Sequence, residues 1–101
     1  MDLQVADNPE QERYEIRADG ELAGFVQYHL RDGNIAFLHT EIDPRFRGHG
    51  LAGHLARSSL EAARERHLGV LPYCPFMRSW IAEHPEYAEL VPAGRRPDFD
   101  L

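Results

Sequence analysis

Apolar and polar residues alternate along much of the first half of the chain, a pattern typical of β-strands that bury one face. Tyr14, Ile16 and Ala18 show it most clearly, because charged residues separate them. Asp-Gly pairs at 19–20 and 32–33 supply the turn chemistry that joins antiparallel strands. We therefore predict an antiparallel meander of three strands, over residues 13–18, 22–30 and 35–42.

Helical spacing replaces this alternation beyond Asp43 and Pro44, which end the third strand. Apolar residues then recur at intervals of three and four, and Gly69 and Pro85 stand where helices end. A helix between two strands predicts that the second strand is parallel to the first. These later elements are a helix over residues 51–67, a strand over 70–74 and a helix over 77–84.

The predicted fold is a single mixed α/β (α+β) domain, in which the three-strand meander is followed by a helix, a parallel strand and a second helix. We assign this domain to residues 13–91. The polar ends of the chain, residues 1–12 and 92–101, are expected to be flexible. A chain of 101 residues has no room for a second domain.

Charge and composition argue against several functions. The chain carries 11 basic and 17 acidic residues, a net charge of −6, and an acidic surface binds nucleic acid poorly. All the basic residues are arginine, so no lysine is present for Schiff-base or Walker-type phosphate chemistry. Apolar runs are too short for a membrane span, and the N-terminus lacks the pattern of a signal peptide. We expect a cytoplasmic protein with no nucleic-acid or membrane partner.

Six histidines and one cysteine invite a metal interpretation, which their spacing does not favour. His49 and His54 are five residues apart and would lie on different faces of a helix. No His-x-x-x-His pair occurs, and a single cysteine excludes both a disulfide framework and a Cys-rich zinc site. We predict no metal site.

The most informative segment is Arg45-x-x-Gly48-x-Gly50, between the third predicted strand and the first predicted helix. Glycines let the backbone approach a bulky anion, and the start of a helix offers unpaired N–H groups. Arg45 and Arg47 add guanidinium groups that donate two hydrogen bonds at once to a phosphate. We interpret the segment as a pyrophosphate-binding loop.

Two other interpretations of this loop stay open. The series Gly48-x-Gly50-x-x-Gly53 matches the dinucleotide-binding fingerprint, which predicts a preference for NAD. That fingerprint belongs in a βαβ unit of a larger parallel sheet, whereas here it follows antiparallel strands. Alternatively, the glycines only make a tight turn from strand to helix.

Arg-x-x-Gly-x-Gly between a strand and a helix resembles the acetyl-CoA pyrophosphate loop of the GNAT superfamily of N-acetyltransferases. Three further segments extend the likeness to the short YjdJ-type acetyltransferase-like domains within that superfamily. The resemblance covers residues 12–91, nearly the whole domain. Its four segments are His39-Thr40-Glu41-Ile42, Arg47-Gly48-His49-Gly50, Cys74-Pro75-Phe76 and His84-Pro85-Glu86-Tyr87.

The resemblance implies a minimal GNAT-like fold that binds acetyl-CoA. The backbone of residues 47–52 would hold the CoA pyrophosphate, and the strands over 35–42 and 70–74 would splay apart to admit the pantetheine arm. GNAT enzymes also have helices between their first two strands, where this chain has only the turn at 19–21, and a strand pair after the last helix, which it lacks. The implied CoA-binding residues are Thr40, Ile42, Arg45, Arg47, Gly48, His49, Gly50, Leu51, Ala52, Pro75 and Phe76.

Acetyl transfer to an amine needs a base near the thioester. A period of two predicts that Phe37, His39 and Glu41 share one face of the third strand, so His39 or Glu41 is a candidate base. Cys74 ends the neighbouring strand, where a thiolate paired with a histidine would form an acyl-thioester. The alternatives are a solvated or Arg-paired Glu41, a structural His39, and a Cys74 that is only a small buried side chain.

We therefore expect an acetyl-CoA-dependent N-acetyltransferase, an acyltransferase whose reactive centre is Cys74 with His39 or Glu41. An open site and a net charge of −6 favour a cationic amine, on a protein or a polyamine-like molecule, as the acceptor. We expect a monomer or a weak dimer. The alternative is a CoA-binding regulatory or interaction module without turnover.

Overall fold

Five strands lie side by side in sequence order and form one sheet. They are β1 (Leu3–Asn8), β2 (Arg13–Ala18), β3 (Glu21–Arg31), β4 (Asn34–Ile42) and β5 (Gly69–Pro72). The computed structural model describes residues 1–101 of the chain. Neighbours from β1 to β4 are antiparallel, whereas β5 is parallel to β4.

Two α-helices complete the fold: α1 (Leu51–Glu65) connects β4 to β5, and α2 (Pro75–Glu83) follows β5. A parallel strand pair needs such a crossover, because its two strands begin at the same edge of the sheet. None of the helices is both long enough and apolar enough to cross a membrane. Short 3-10 helices lie at Pro9–Gln11, Pro44–Phe46, Pro85–Leu90 and Ala93–Phe99.

One face of the sheet carries the hydrophobic core. The register places Tyr14 beside Val26 and Ile35 beside Val70, and all four side chains are buried. Both α-helices pack on this face. The buried residues of the helices and of the sheet form a single cluster of 22 residues. We call the opposite face the open face. The predicted meander, helix, parallel strand and second helix are all confirmed.

The first strand is a correction to the prediction that residues 1–12 are flexible. Leu3–Asn8 pairs along its whole length with Arg13–Ala18. Leu3 and Val5 are only partly buried against the core. An edge strand of this kind needs few apolar residues, so its sequence shows only a weak alternation of apolar and polar positions. The first two strands are therefore joined by the 3-10 turn at Pro9–Gln11, and the turn at 19–21 joins the second strand to the third.

The C-terminal segment is a second correction, because we expected residues 92–101 to be flexible. Ala93–Phe99 forms a 3-10 helix, and the Phe99 side chain is 3% exposed. Its ring meets the Tyr73 ring edge-on, with the centroids 5.2 Å apart. Phe99 and Leu101 are the only large apolar residues of this segment, which gives too little periodicity to predict the packing from sequence.

A polar cluster ties β1 to β3 and to the end of α1. The Tyr28 hydroxyl donates to Asp7 Oδ1 at 2.6 Å, and Arg66 Nη1 lies 3.8 Å from the other Asp7 oxygen. Arg66 Nη1 also donates to the Tyr14 hydroxyl at 3.2 Å. Burial and the Asp7 carboxylate raise the pKa of Tyr28. These bonds hold the weakly apolar β1 at the edge of the sheet.

Replacing Tyr28 with phenylalanine removes the donor to Asp7 and leaves that carboxylate less well satisfied. We expect Tyr28→Phe to lower the free energy of unfolding by about 2 kcal/mol, a typical magnitude for a hydrogen bond to a charged group. Urea denaturation at neutral pH measures the difference. Tyr73→Phe is the matched control, because the Tyr73 hydroxyl bonds to Arg95 at the surface. Equal losses in the two variants would contradict the role given to Tyr28.

The raised pKa of Tyr28 also predicts a loss of stability in alkali. The folded state favours the neutral phenol of Tyr28. The contribution of Tyr28 to the free energy of unfolding is therefore complete below pH 10.0, the ordinary pKa of tyrosine, and declines as the pH rises further. The free energy of unfolding should therefore fall less steeply above this pH in Tyr28→Phe than in the parent. Parallel slopes in a denaturation series from pH 8 to pH 11 would contradict this assignment.

Candidate active site

The candidate site begins where β4 and β5 separate. The two strands pair only over Asn34–Phe37 and Gly69–Pro72, whereas β4 continues beyond them. The next bond across the gap runs from the Cys74 N–H to the Phe37 carbonyl, at 2.9 Å. Residues 38–42 therefore have a backbone edge with no strand partner on the β5 side. This is the separation that the GNAT resemblance implied.

An extra residue in β4 decides which side chains reach each face of the sheet. Consecutive residues of β3 pair with Phe37 and His39, so Leu38 has no partner there. Such a bulge shifts the alternation of faces by one residue. Phe37 is buried in the core, whereas His39 and Glu41 lie on the open face. The prediction that these three residues share one face is wrong, because a period of two holds only in a strand without a bulge.

Cys74 lies on the core side of the sheet, immediately before α2. Its thiol is buried, and its Sγ is 3.2 Å from the Thr40 hydroxyl. Thr40 pairs with the core residue Val26 and so faces away from His39. The structure therefore brings a hydroxyl, and not the predicted imidazole, to the Cys74 thiol.

His39 and Glu41 form a pair of their own on the open face. His39 Nε2 is 3.3 Å from Glu41 Oε2, and the two side chains are 58% and 63% exposed. The Phe25 ring lies beside the imidazole, with the ring centroids 6.2 Å apart. Glu41 is thus paired with a histidine and not with an arginine. Both groups are accessible to a substrate that approaches this face.

The glycine loop forms a small pocket at the start of α1. Gly48 and Gly50 have φ of +85° and +74°, and a Cβ on either would meet no atom within 4 Å. No side chain caps α1, so the N–H groups of its first turn are free to bind a ligand. The pocket measures about 140 Å³ and is lined by Ile42, Phe46, Arg47, Gly48, Gly50, Leu51 and Ala52.

The two predicted arginine ligands have different surroundings. Arg45 Nη2 is 3.2 Å from Asp43 Oδ2, and Arg45 Nη1 is 3.7 Å from Glu21 Oε2. The backbone N–H and the guanidinium of Arg45 hold the pKa of Asp43 below its ordinary value. Arg47 forms no ion pair with the protein and lines the glycine-loop pocket. Only Arg47 is therefore placed to meet an anion there.

A larger cleft of about 410 Å³ adjoins the glycine-loop pocket, since Ile42 and Arg47 line both. Antiparallel pairing places the start of β3 against the end of β4, and the cleft lies there. The carboxylates of Glu41 and Asp43 are part of its wall. Its lining residues are Leu22, Ala23, Gly24, Phe25, Glu41, Ile42, Asp43, Pro44 and Arg47.

Some predicted ligands lie apart from these cavities. His49 is exposed and lines neither of them, and Pro75 and Phe76 are in the first turn of α2. The sequence did not identify Phe46 as a lining residue of the pocket. It also did not identify residues 22–25 of β3 as a wall of the cleft, because only the strand pairing places them there. The structure contains no group of three or more His, Cys, Asp or Glu side chains that could hold a metal ion.

Comparison with known sequences gives a family match over most of the chain. The sequence model of the GCN5-related N-acetyl-transferase family matches residues 13–90. Protein NATD1 of Danio rerio is 25% identical over 93 residues, which are 88% of this chain and 84% of that protein. Protein NATD1 of Gallus gallus is 25% identical over 85 residues, which are 82% of this chain and 77% of that protein.

Solved structures share the fold. A GCN5-like putative N-acetyltransferase from Staphylococcus aureus has a TM-score of 0.68 at 20% identity, covering 89% of this chain and 88% of the other. The ribosomal-protein-alanine N-acetyltransferase from Brucella melitensis biovar Abortus 2308 has a TM-score of 0.55 at 24% identity, covering 80% of this chain and 61% of the other. With the family match over residues 13–90, the parted strands and the glycine loop, this chain belongs to the GCN5-related N-acetyltransferases, the GNAT superfamily.

Proposed function

We propose that this protein transfers the acetyl group of acetyl-CoA to the nitrogen of an amine. The observation on which the proposal rests is the continuity of the site: the glycine-loop pocket and the cleft share Ile42 and Arg47, and Ile42 is also the last residue of the unpartnered edge of β4. An elongated thioester with a pyrophosphate group needs such a continuous path. Acetyl-CoA, when bound, supplies an acetyl group that is activated for attack by an amine.

The glycine-loop pocket suits a pyrophosphate group. The open space over Gly48 and Gly50 lets phosphate oxygens approach the backbone, and the first turn of α1 supplies N–H donors. Arg47, which forms no ion pair within the protein, adds a guanidinium that can bind a phosphate. Arg45 supports the loop indirectly, because its bonds to Asp43 fix the 3-10 turn that precedes the glycines.

The unpartnered edge of β4 suits the pantetheine arm. Residues 38–42 keep backbone N–H and C=O groups on the side that β5 leaves open. A ligand that carries amides binds such an edge as an added strand would. The edge begins at the glycine loop and ends beside Cys74, so it directs a thioester toward the place where the two strands part.

The His39–Glu41 pair suits the role of base. With the Nε2–H of His39 donated to Glu41, Nδ1 is left as the proton acceptor. It would take the proton that the amine loses as its nitrogen bonds to the acetyl carbon, and would pass that proton to the CoA sulfur as the carbon–sulfur bond breaks. Cys74 is buried beside a hydroxyl, which gives its thiol no base. We therefore favour direct transfer over an acyl-cysteine.

The cleft favours a cationic acceptor. Its charged lining residues are Glu41, Asp43 and Arg47, two acidic and one basic, and the whole chain has a net charge of −6. Only the three-residue 3-10 turn Pro9–Gln11 stands between β1 and β2, so the cleft lacks the helical wall that would enclose a small molecule. We propose an amine on a protein or a polyamine-like molecule, whose own surface completes the site.

The glycine loop can be tested with three matched alanine variants. Gly48→Ala and Gly50→Ala should each weaken CoA binding by about tenfold or more, because the new Cβ occupies the space over the loop. Gly20→Ala is the control, since Gly20 has the same φ of +85° and open surroundings but lies in the β2–β3 turn. Calorimetric titration with CoA and with NAD gives the affinities.

Two outcomes of that titration would overturn the assignment. Equal CoA affinity in Gly48→Ala, Gly50→Ala and Gly20→Ala would show that the loop does not bind pyrophosphate. Tighter binding of NAD than of CoA by the parent would favour the dinucleotide interpretation instead.

The base can be tested against a second histidine–glutamate pair. His39→Ala should lower kcat for acetyl transfer about 100-fold or more while CoA affinity stays that of the parent. His29→Ala is the matched control, because His29 Nδ1 is 3.1 Å from Glu12 Oε2 and both side chains are similarly exposed, at 57% and 53%. Equal rates for the two variants would contradict the assignment. CoA binding without transfer to any amine would indicate a binding module.

The route of transfer can be tested at Cys74. Direct transfer predicts that Cys74→Ala keeps most of the kcat of the parent, within about tenfold. Intact-mass spectrometry of the parent after mixing with acetyl-CoA should show no acetyl group on Cys74. An acetylated Cys74 that forms and disappears at the rate of turnover, together with an inactive Cys74→Ala, would establish the covalent route instead.

A further inference from the structure

Two large apolar side chains are exposed where β4 and β5 separate: Leu38 is 44% exposed and Tyr73 is 46% exposed. The pairing of Phe37 with Pro72 places them at the same level of the two strands. Each is also an extra residue. Leu38 has no partner in β3. The Phe37 carbonyl accepts a hydrogen bond from the Cys74 N–H, so the Tyr73 N–H takes no part in the bonding between the two strands.

Both side chains emerge on the open face. Tyr73 lies between Pro72 and Cys74, which are buried on the core side. Leu38 lies between the buried Phe37 and His39, which is on the open face. Leu38 and Tyr73 therefore form an apolar surface next to the imidazole that we propose as the base.

The C-terminal segment holds the Tyr73 ring in place. Arg95 Nη2 donates to the Tyr73 hydroxyl at 2.9 Å, and Arg95 Nε donates to Asp98 Oδ2 at 2.7 Å. The buried Phe99 ring packs edge-on against Tyr73 at 5.2 Å. An exposed side chain normally keeps its rotamer freedom, and fixing it has an entropic cost. A fixed ring that stays half-exposed is typical of a surface that is preorganised for a ligand.

Building on the proposed function, we propose that Leu38 and Tyr73 form a wall that selects primary amines carried on an aliphatic stem. The methylene groups of the stem lie against the two apolar side chains, and the nitrogen reaches His39, the residue after Leu38. Glu41 complements the positive charge of the amine before it is deprotonated. Arg95 is a positioning residue that acts through Tyr73.

The length of the stem tests this wall directly. The substrates are peptides of one sequence with a blocked N-terminus and a single lysine, ornithine or 2,4-diaminobutyrate residue. For the parent, kcat/KM should rise about threefold or more with each added methylene, the fold-change that burial of a methylene gives. A parallel series of α,ω-diamines distinguishes a free polyamine from a peptide as the source of the amine.

Two independent variants remove the wall. Leu38→Ser and Tyr73→Ser should each raise KM for the lysine peptide and flatten the dependence of kcat/KM on stem length. Arg95→Ala should weaken the dependence on stem length by a smaller amount, because it removes the hydrogen bond that holds the Tyr73 ring and leaves the ring present. Arg31→Ala is the control, since Arg31 is 80% exposed and its guanidinium contacts only the neighbouring Asp32.

The outcomes separate this inference from the proposed function. If the parent acetylates the lysine peptide and all the variants keep its dependence on stem length, the wall is wrong and the acetyltransferase assignment stands. If the parent binds CoA but acetylates no amine in either series, the proposed function fails and the wall fails with it.

Discussion

The separation of β4 from β5 is the constraint on which the rest of the site depends. Two parallel strands that stayed paired would satisfy each other's backbone groups and leave no place for a ligand between them. Here the pairing stops at Phe37 and Pro72, and β4 continues alone to Ile42. The glycine loop follows after the 3-10 turn Pro44–Phe46, so a phosphate site lies at one end of the open edge and the point of separation at the other.

An added residue in β4 then determines which side chains lie on each face of the sheet. Leu38 shifts the alternation of β4, which places Thr40 with the Cys74 thiol on the core side and His39 on the open face. The thiol is thereby buried beside a hydroxyl, while the imidazole stays accessible. A bulge of one residue thus decides which group meets the substrate.

Much of the fold could be predicted from the sequence, because the strands and helices that bury large apolar faces have a strong period. The loop at Gly48 and Gly50 was also predictable, since it follows a strand and begins a helix. Three features were not. The edge strand Leu3–Asn8 is only half-buried, and Phe99 lies in a tail that is mostly polar. The bulge at Leu38 has no signature in the residue types around it. Each depends on tertiary pairing that no local pattern records.

The most direct test of the account is a titration of isotope-labelled protein with CoA, followed by the backbone amide signals in two-dimensional NMR. The account predicts that the changes concentrate at residues 38–42 and 47–52, the open edge of β4 and the glycine loop. An equal concentration of NAD should produce smaller changes there. Changes confined to other parts of the chain, or equal changes with NAD, would contradict the claim that the separated strands and the loop form one CoA site.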